Sequence, residues 1–313
     1  MISIERGADY VREGRATFAA IGTFDGVHRG HQEVIGSAVH AARAAGGRSA
    51  VITFDRHPAS VFAPDRAPPM LLSLEQKRAR MEALGADTLL TLPFNEDMCR
   101  LPALDFARLL SQDLDPLAEV YVGGDFTYGY RRLGNVDTLK LHGDELGFVA
   151  KVVPPCMDGE RPVSSTRIRE AVLLGDLETA RRLLGYPVEV SGVVAQGEAL
   201  GRKIGFPTAN LDSENRAIPA KGVYAARARW DRGPWRCAVV NIGTRPTVDR
   251  AATVPRIEAH ILDFEGDLYG RRVDIRFHHR LRSEERFPSL EALKAAIAQD
   301  TTRARAVLAQ VED

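Results

Sequence analysis

Thr17-Phe18-Ala19-Ala20-Ile21 runs directly into Gly22-Thr23-Phe24-Asp25-Gly26-Val27-His28-Arg29-Gly30-His31, and the reading of this stretch decides the fold. The first five residues make a short, uncharged run, as a buried strand requires. Glycines then punctuate a turn, and a helical pattern follows over residues 31–45. A strand, a glycine-rich turn and a helix in that order present free backbone N–H groups and the positive end of a helix dipole to an anion. His28 and His31 add hydrogen-bond donors for phosphate oxygens, and Gly30 between them lets a ligand come close to the backbone. Other readings exist. A glycine-rich turn before a helix is often only structural, and two histidines three apart can bind a metal, although no further ligand is obvious nearby.

Outward from this stretch the same rhythm continues. Strand-like runs cover residues 17–21, 49–54, 88–92, 119–123 and 148–153, and helical patterns lie around 31–45, 74–84, 103–112 and 136–146. Alternation of this kind predicts βαβ units: a Rossmann-like parallel sheet with helices on both faces, which binds ligands beyond the carboxyl ends of its strands. Ser164-Ser165-Thr166 starts a helix that stops at Gly175, and Asp176 caps another that stops at Gly185. After Tyr186-Pro187 the texture changes to short strands punctuated by Gly and Pro, at 188–195, 222–230, 236–240, 256–263 and 273–280. These predict an antiparallel β-barrel. One helix over about 290–299 and another after Thr302 close the chain. The expected domains are residues 1–185, α/β, and 186–313, β.

Bulk properties agree. A chain of 313 residues suits two domains. With 42 Lys plus Arg against 42 Asp plus Glu, it lacks the basic surplus of a general nucleic-acid binder, and no nucleic-acid partner is expected. The three cysteines, Cys99, Cys156 and Cys237, are far apart and form no C-x-x-C pair, which argues for reduced thiols. The N-terminus lacks a signal-peptide layout and no stretch is long and apolar enough to span a bilayer. A cytoplasmic location without a membrane partner is the expectation; self-association stays open.

H-x-G-H after a first strand is the signature of the nucleotidyltransferase superfamily. The longer string from Gly22 to His31 resembles the FMN adenylyltransferase module of the bifunctional bacterial FAD synthetases. The resemblance implies that His28 and His31 hold the ATP phosphates and stabilise charge on the α-phosphate, within a turn that includes Gly22, Phe24, Asp25, Gly26 and Gly30. Phe54-Asp55-Arg56-His57-Pro58 is similar to that family's F-[DE]-P-H-P motif, with Arg56 replacing a proline. Gly123-Gly124-Asp125-Phe126-Thr127-Tyr128-Gly129-Tyr130-Arg131-Arg132-Leu133-Gly134-Asn135 resembles its G-x-D-F-x-F-G-x-x-R-x-G-N loop, with Tyr128 where phenylalanine is usual. His57, Asp125, Phe126, Tyr128, Arg132 and Asn135 are thereby expected at the flavin. Val163-Ser164-Ser165-Thr166-Arg167-Ile168-Arg169 looks like its S-S-T-x-I-R element and implies Ser164, Ser165, Thr166 and Arg167 at ATP. Hydroxyls at a helix start beside an arginine suit an anion, and equally a plain cap. The implied chemistry needs no protein nucleophile, because the FMN phosphate is one already.

The second half carries Gly197-Glu198-Ala199-Leu200-Gly201-Arg202-Lys203-Ile204-Gly205-Phe206-Pro207-Thr208-Ala209-Asn210-Leu211. A glycine-rich loop with cations can close over phosphates, but it does not fit the ordinary P-loop pattern. It resembles riboflavin kinase, as do Gly222-Val223-Tyr224, the Asn241-Ile242-Gly243-Thr244-Arg245-Pro246-Thr247 string, the 257–264 string, Asp267-Leu268-Tyr269-Gly270 and the 281–287 segment. Val248 departs from the family's phenylalanine. The resemblance implies Mg²⁺ on Thr208 and Asn210, ATP and flavin contacts from Gly201, Lys203, Gly205, Pro207, Asn241 and Arg282, and Glu258 as general base. Oxygen ligands suit a hard cation. Strand alternation sets Glu258 opposite Ile257 and Ala259, and an inward carboxylate in a barrel is costly without a job or a partner. Glu284 and Glu285 are read as solvated. The expected function is therefore ATP-dependent conversion of riboflavin to FMN and of FMN to FAD. A nucleotidyltransferase for another acceptor is disfavoured by the barrel half. A flavin-binding regulator is disfavoured by the retention of His28, His31, Thr208, Asn210 and Glu258.

Overall fold

The computed structural model describes residues 1–4, 14–196, 201, 204–245 and 254–311. By its contacts the chain forms two compact units, Met1–Met70 with Leu74–Ser165, and Leu71–Ser73 with Thr166–Asp313.

The first unit is built on a six-stranded sheet: β1 (Ile2–Ile4), β2 (Thr17–Ile21), β3 (Arg48–Phe54), β4 (Thr88–Leu92), β5 (Leu117–Gly123) and β6 (Val149–Val153). The order is β1-β4-β3-β2-β5-β6 and every pair is parallel. Parallel strands need crossovers, which are supplied by α1 (Arg29–Ala44), α2 (Ala59–Phe62), α3 (Leu74–Ala83), α4 (Glu96–Arg100), α5 (Ala103–Asp113) and α6 (Val136–Leu146). A hairpin of β7 (Met157–Asp158) and β8 (Arg161–Pro162) follows. The chain steps from β2 outward to β3 and β4, then returns to the other side of β2 as β5. That reversal opens a crevice at the carboxyl ends of β2 and β5, where open α/β sheets take their ligands. Beneath it Ala19, Ile21, Ile52, Val120 and Val122 pack with Phe106, Leu110 and Leu139, all buried. α6 starts at a capping box between Asn135 and Thr138 and ends at left-handed Gly147, so local chemistry fixes both its ends.

The second unit contains α7 (Ser165–Leu174) from Thr166 onward, α8 (Leu177–Leu184) and a closed antiparallel barrel. The barrel strands are β9 (Val188–Ala195), β10 (Ala209–Ser213), β11 (Gly222–Trp230), β12 (Arg236–Arg245), β13 (Val254–Ile261) and β14 (Arg272–Arg282), in the order β10-β13-β12-β11-β14-β9. α9 (Leu290–Leu308) lays Ala304 and Leu308 over Val223, Ala225 and Val239. Leu71–Ser73 is a strap on this unit: buried Asn215 donates to the Leu71 carbonyl at 2.7 Å and accepts from Ser191 N–H at 2.9 Å.

Several features differ from the sequence reading. The last helix does not break near residue 300. Thr302 satisfies its hydroxyl on the Ala298 carbonyl at 3.0 Å, and Asp300 is held by Arg282, so neither competes for the backbone as a cap would. β10 is an additional strand inside the Pro-Thr-Ala-Asn string, and β1 another at the N-terminal end. The compact units divide at Ser165 and Thr166, one helix pair before the texture change at 185, because α8 packs on β9 and β14.

Candidate active sites

The first candidate site is the turn between β2 and α1. His28 is the helix N-cap, and its Nδ1 accepts from His31 N–H at 3.4 Å. The two imidazoles stack 3.5 Å apart at 21°. A Cβ on Gly30 would lie 3.3 Å from the His28 ring and 3.7 Å from Cys156 Cβ, so a side chain there would press on the imidazole. Phe24 is buried and meets His31 edge-on at 5.3 Å, making it a wedge behind the histidine. The turn is strained: Phe24 and Val27 hold φ of 44° and 33°, beside Gly26 at 86°. Such non-glycine positions cost about 1–3 kcal/mol each and concentrate at functional sites.

Burial lowers the His28 pKa to about 4. His31 lies well below its ordinary value, first from burial, then from His28 and Lys77. Both rings are therefore neutral near pH 7, and His31 Nδ1 is buried without a hydrogen-bond partner among the described residues. Neutral imidazoles stacked at a helix N-terminus can donate to phosphate oxygens without mutual repulsion. Gly22 prolongs the sheet by donating to Ile52 O at 3.1 Å, and buried Asp25 offers its carbonyl to Ser165 Oγ at 2.8 Å. Ser165 thus joins the turn, next to Ser164. Thr166 and Arg167 follow on α7 and count by contact with the second unit.

Two further segments leave the sheet at this same edge, since β3 and β5 flank β2 with Ile21 opposite Ile52 and Ala20 opposite Tyr121. After β3, His57 accepts from Ala59 N–H at 3.1 Å, and Arg56, in the proline's place, bonds Asp55 through Nη2 at 2.9 Å. After β5, Asp125 is exposed and Phe126 stacks on Tyr128 at 5.5 Å. Tyr128 itself is buried in the core, exchanges backbone hydrogen bonds with Gly134, and places its hydroxyl 2.7 Å from His142 Nδ1. It anchors the loop from below. Arg132 is exposed at a φ of 58°, and Asn135 caps α6.

The second candidate site is a row across three barrel strands. Asn210 on β10 pairs with Glu258 on β13, which pairs with Asn241 on β12, so all three share one face. That face is the outer one. Ile257 and Ala259 are buried, whereas Val239, which pairs with His260, packs under α9. The expectation of an inward carboxylate is corrected accordingly: alternation was right and the direction was not. Arg256 pairs with Glu258 at 2.7 Å and reaches Asn210 Oδ1 at 3.4 Å. His260 Nδ1 lies 2.8 Å from the Pro207 carbonyl and tethers the segment before Thr208. Gly201 accepts from Ile204 and Phe206 N–H, and Gly205 adopts a φ of 91°, closing a tight turn. A cleft of about 300 Å³ brings Pro207 and Thr208 against Phe264, Asp267, Leu268 and Tyr269.

Arg282 is engaged elsewhere, in a bidentate bond to buried Asp300 at 2.8–3.0 Å with its guanidinium over Phe287. Lys203 and Val248 lie outside the described residues. Sequence reasoning missed Lys77, Arg256 and His260. The alternation around Glu258 could have found the last two, since Arg256, Glu258 and His260 lie on one face of β13. The described residues include no cluster of three His, Cys, Asp or Glu able to hold a metal, and no helix long and apolar enough to cross a membrane.

Comparison with known proteins matches residues 11–167 to FAD synthetase and residues 184–308 to Riboflavin kinase. The bifunctional riboflavin kinase/FMN adenylyltransferase of Pseudomonas fluorescens is 40% identical over 98% of both chains. Its counterpart in Escherichia coli strain K12 is 38% identical over 91% of this chain and 90% of its own length. A Streptococcus pneumoniae crystal structure described as a macrolide-efflux protein is 31% identical, with a TM-score of 0.85 over 97% of this chain and 98% of that one.

Proposed function

The chain belongs to the bifunctional riboflavin kinase/FMN adenylyltransferase family, a transferase with both activities, and from that premise we propose how its residues divide the work. Riboflavin, FMN, FAD and ATP are its small-molecule partners.

Adenylyl transfer belongs to the first unit. An FMN phosphate oxygen bonds to the α-phosphorus of ATP as the bond to the bridging oxygen breaks, and pyrophosphate leaves with the electron pair. His28, His31 and the turn amides meet the developing phosphate charge, with Gly22, Gly26 and Gly30 shaping the backbone. Ser164, Ser165, Thr166 and Arg167 supply further ATP contacts. Phe126, His57, Asp125 and Arg132 receive the flavin, while Tyr128 and Asn135 hold their loop. The stacked neutral histidines at the sheet's reversal point carry this reading.

Phosphorylation of riboflavin belongs to the barrel. The 5′-hydroxyl passes its proton to Glu258 while its oxygen bonds to the γ-phosphorus, and ADP leaves. Thr208 and Asn210 offer neutral oxygens beside that carboxylate, a donor set that fits Mg²⁺ shared with nucleotide phosphates. Bound there, Mg²⁺ would neutralise phosphate charge. Gly201, Lys203, Gly205, Pro207 and Asn241 complete the pocket; Arg282, tied to Asp300, acts from behind by fixing the β14 end. The boundary of 185 remains our proposal for dividing the two activities, and a cytoplasmic location our expectation. Riboflavin with ATP and Mg²⁺ should yield ADP and FMN, then pyrophosphate and FAD. Flavin binding with neither product released would sink the reading.

A further inference from the structure

Lys77 is used by none of the steps above, yet it lies under the phosphate turn. It sits on the first turns of α3 and is 2% exposed, an unusual place for an ammonium group. Its Nζ donates to the Thr23 carbonyl at 2.9 Å, and the fully buried Thr53 hydroxyl donates to the same oxygen at 3.1 Å. Two buried donors thus grip the residue that precedes the strained Phe24–Val27 segment. Among the described residues, the charged and titratable groups coupled to Lys77 are Asp25 from the turn, Asp55 after β3, and His31, which His28 also influences. Burial lowers the lysine's pKa, the two carboxylates raise it, and its charge in turn helps keep His31 neutral.

We infer that Lys77 is a positioning residue for adenylyl transfer: it holds the turn by the Thr23 carbonyl and sets the electrostatic environment of the paired histidines. This rests on the reading that the turn holds the ATP phosphates. A buried ammonium group is costly unless it is bonded and has compensating charge nearby. Here it has a carbonyl as hydrogen-bond partner, two carboxylates whose charge offsets its own, and the neutral histidine pair within reach of its field. That is an arrangement for a fixed positive field at a place where negative charge arrives, achieved without the lysine touching the reacting atoms.

The test uses the full chain. Lys77→Met should lower kcat for pyrophosphate release from ATP with FMN by about 10–100-fold, the range for groups that orient a primary ligand. The KM for FMN and ADP release with riboflavin should stay near wild type in the same preparation. Lys77→Arg, which keeps the charge, should recover most of the loss. The His31 imidazole, followed by NMR, should titrate at higher pH in Lys77→Met than in wild type. Wild-type kcat in Lys77→Met, or no recovery in Lys77→Arg, overturns the inference. If Lys77→Met does not fold, Lys77→Arg decides: near-normal kcat with a normal His31 titration supports the role, and a loss as deep as that of His28→Ala in a folded protein overturns it. His28→Ala separates the two claims. Pyrophosphate release that survives it removes the site assignment and Lys77 with it. Release lost there but kept in Lys77→Met removes Lys77 alone.

Discussion

Asn210 and Glu258 face each other directly across the β10–β13 ladder, and the Arg256 guanidinium is bonded to both. A carboxylate in that position can take a hydroxyl proton next to an oxygen suited to the cation. Glu258→Gln keeps the shape and removes the base. The riboflavin kinase rate should fall by about 10²–10⁴-fold, the usual contribution of general-base catalysis. Pyrophosphate release with FMN should not change. ADP release at the wild-type rate would leave Glu258 as the structural partner of Arg256.

His28→Ala and His31→Ala should each slow pyrophosphate release, by about 10²–10³ in kcat on the scale of a lost oxyanion-hole donor. His31→Ala also removes the ring against which Phe24 is wedged. Riboflavin phosphorylation in the same preparations should be nearly intact. Equal loss of both activities in a folded protein would contradict the assignment.

The buried histidine also makes stability depend on pH. His28 is held at about 4 in the folded chain, while an unfolded histidine titrates near 6.5. Between those values the unfolded state binds the proton and the native state does not, so stability is lost as pH falls through that window. His28 alone should account for roughly 3 kcal/mol across it. Urea unfolding at about pH 7.5 and about pH 4 measures this. His28→Gln should flatten the difference, and an unchanged difference would show that His28 does not titrate as described.

A fragment beginning at residue 166 should be more stable than one beginning at 186. α8 buries Leu177, Ala180, Leu183 and Leu184, and it packs on β9 and β14. Each fully buried leucine is worth about 1.5–3 kcal/mol before the helix's entropy is subtracted. Both fragments should release ADP with riboflavin, and the longer one should melt several degrees higher. Equal melting temperatures would mean that α8 contributes nothing to the barrel.

Much of this architecture was legible in the sequence, for local reasons. β2 and β4 run over the residues that their short runs marked, because both are bounded by turn residues. α8 begins at Asp176 and ends at Gly185 because a carboxylate cap and a left-handed glycine need no distant partner. Non-local facts were not legible. Lys77 reads as one more polar residue of a charged helix, and only the arrival of Thr23 overhead buries it. The direction of Glu258 depended on which face α9 covers, and that helix lies more than thirty residues later. The resemblance of its loop sets Tyr128 at the flavin; the partner that holds its hydroxyl inward, His142, is on the following helix, and nothing local to the loop marks it.

The Leu71–Ser73 strap sets an order of events for a chain made from its N-terminus. Leu71 and Leu72 leave the ribosome long before the barrel they belong with, and before Asn215, which holds the Leu71 carbonyl. During synthesis these two leucines stay uncovered while the strands on either side of them, β3 and β4, are already available to pair. The interval between the seventies and Asn215 is therefore a window in which a nascent chain shows a sticky spot to chaperones and proteases. Slowing translation of the barrel would lengthen that window without altering any residue of the finished enzyme.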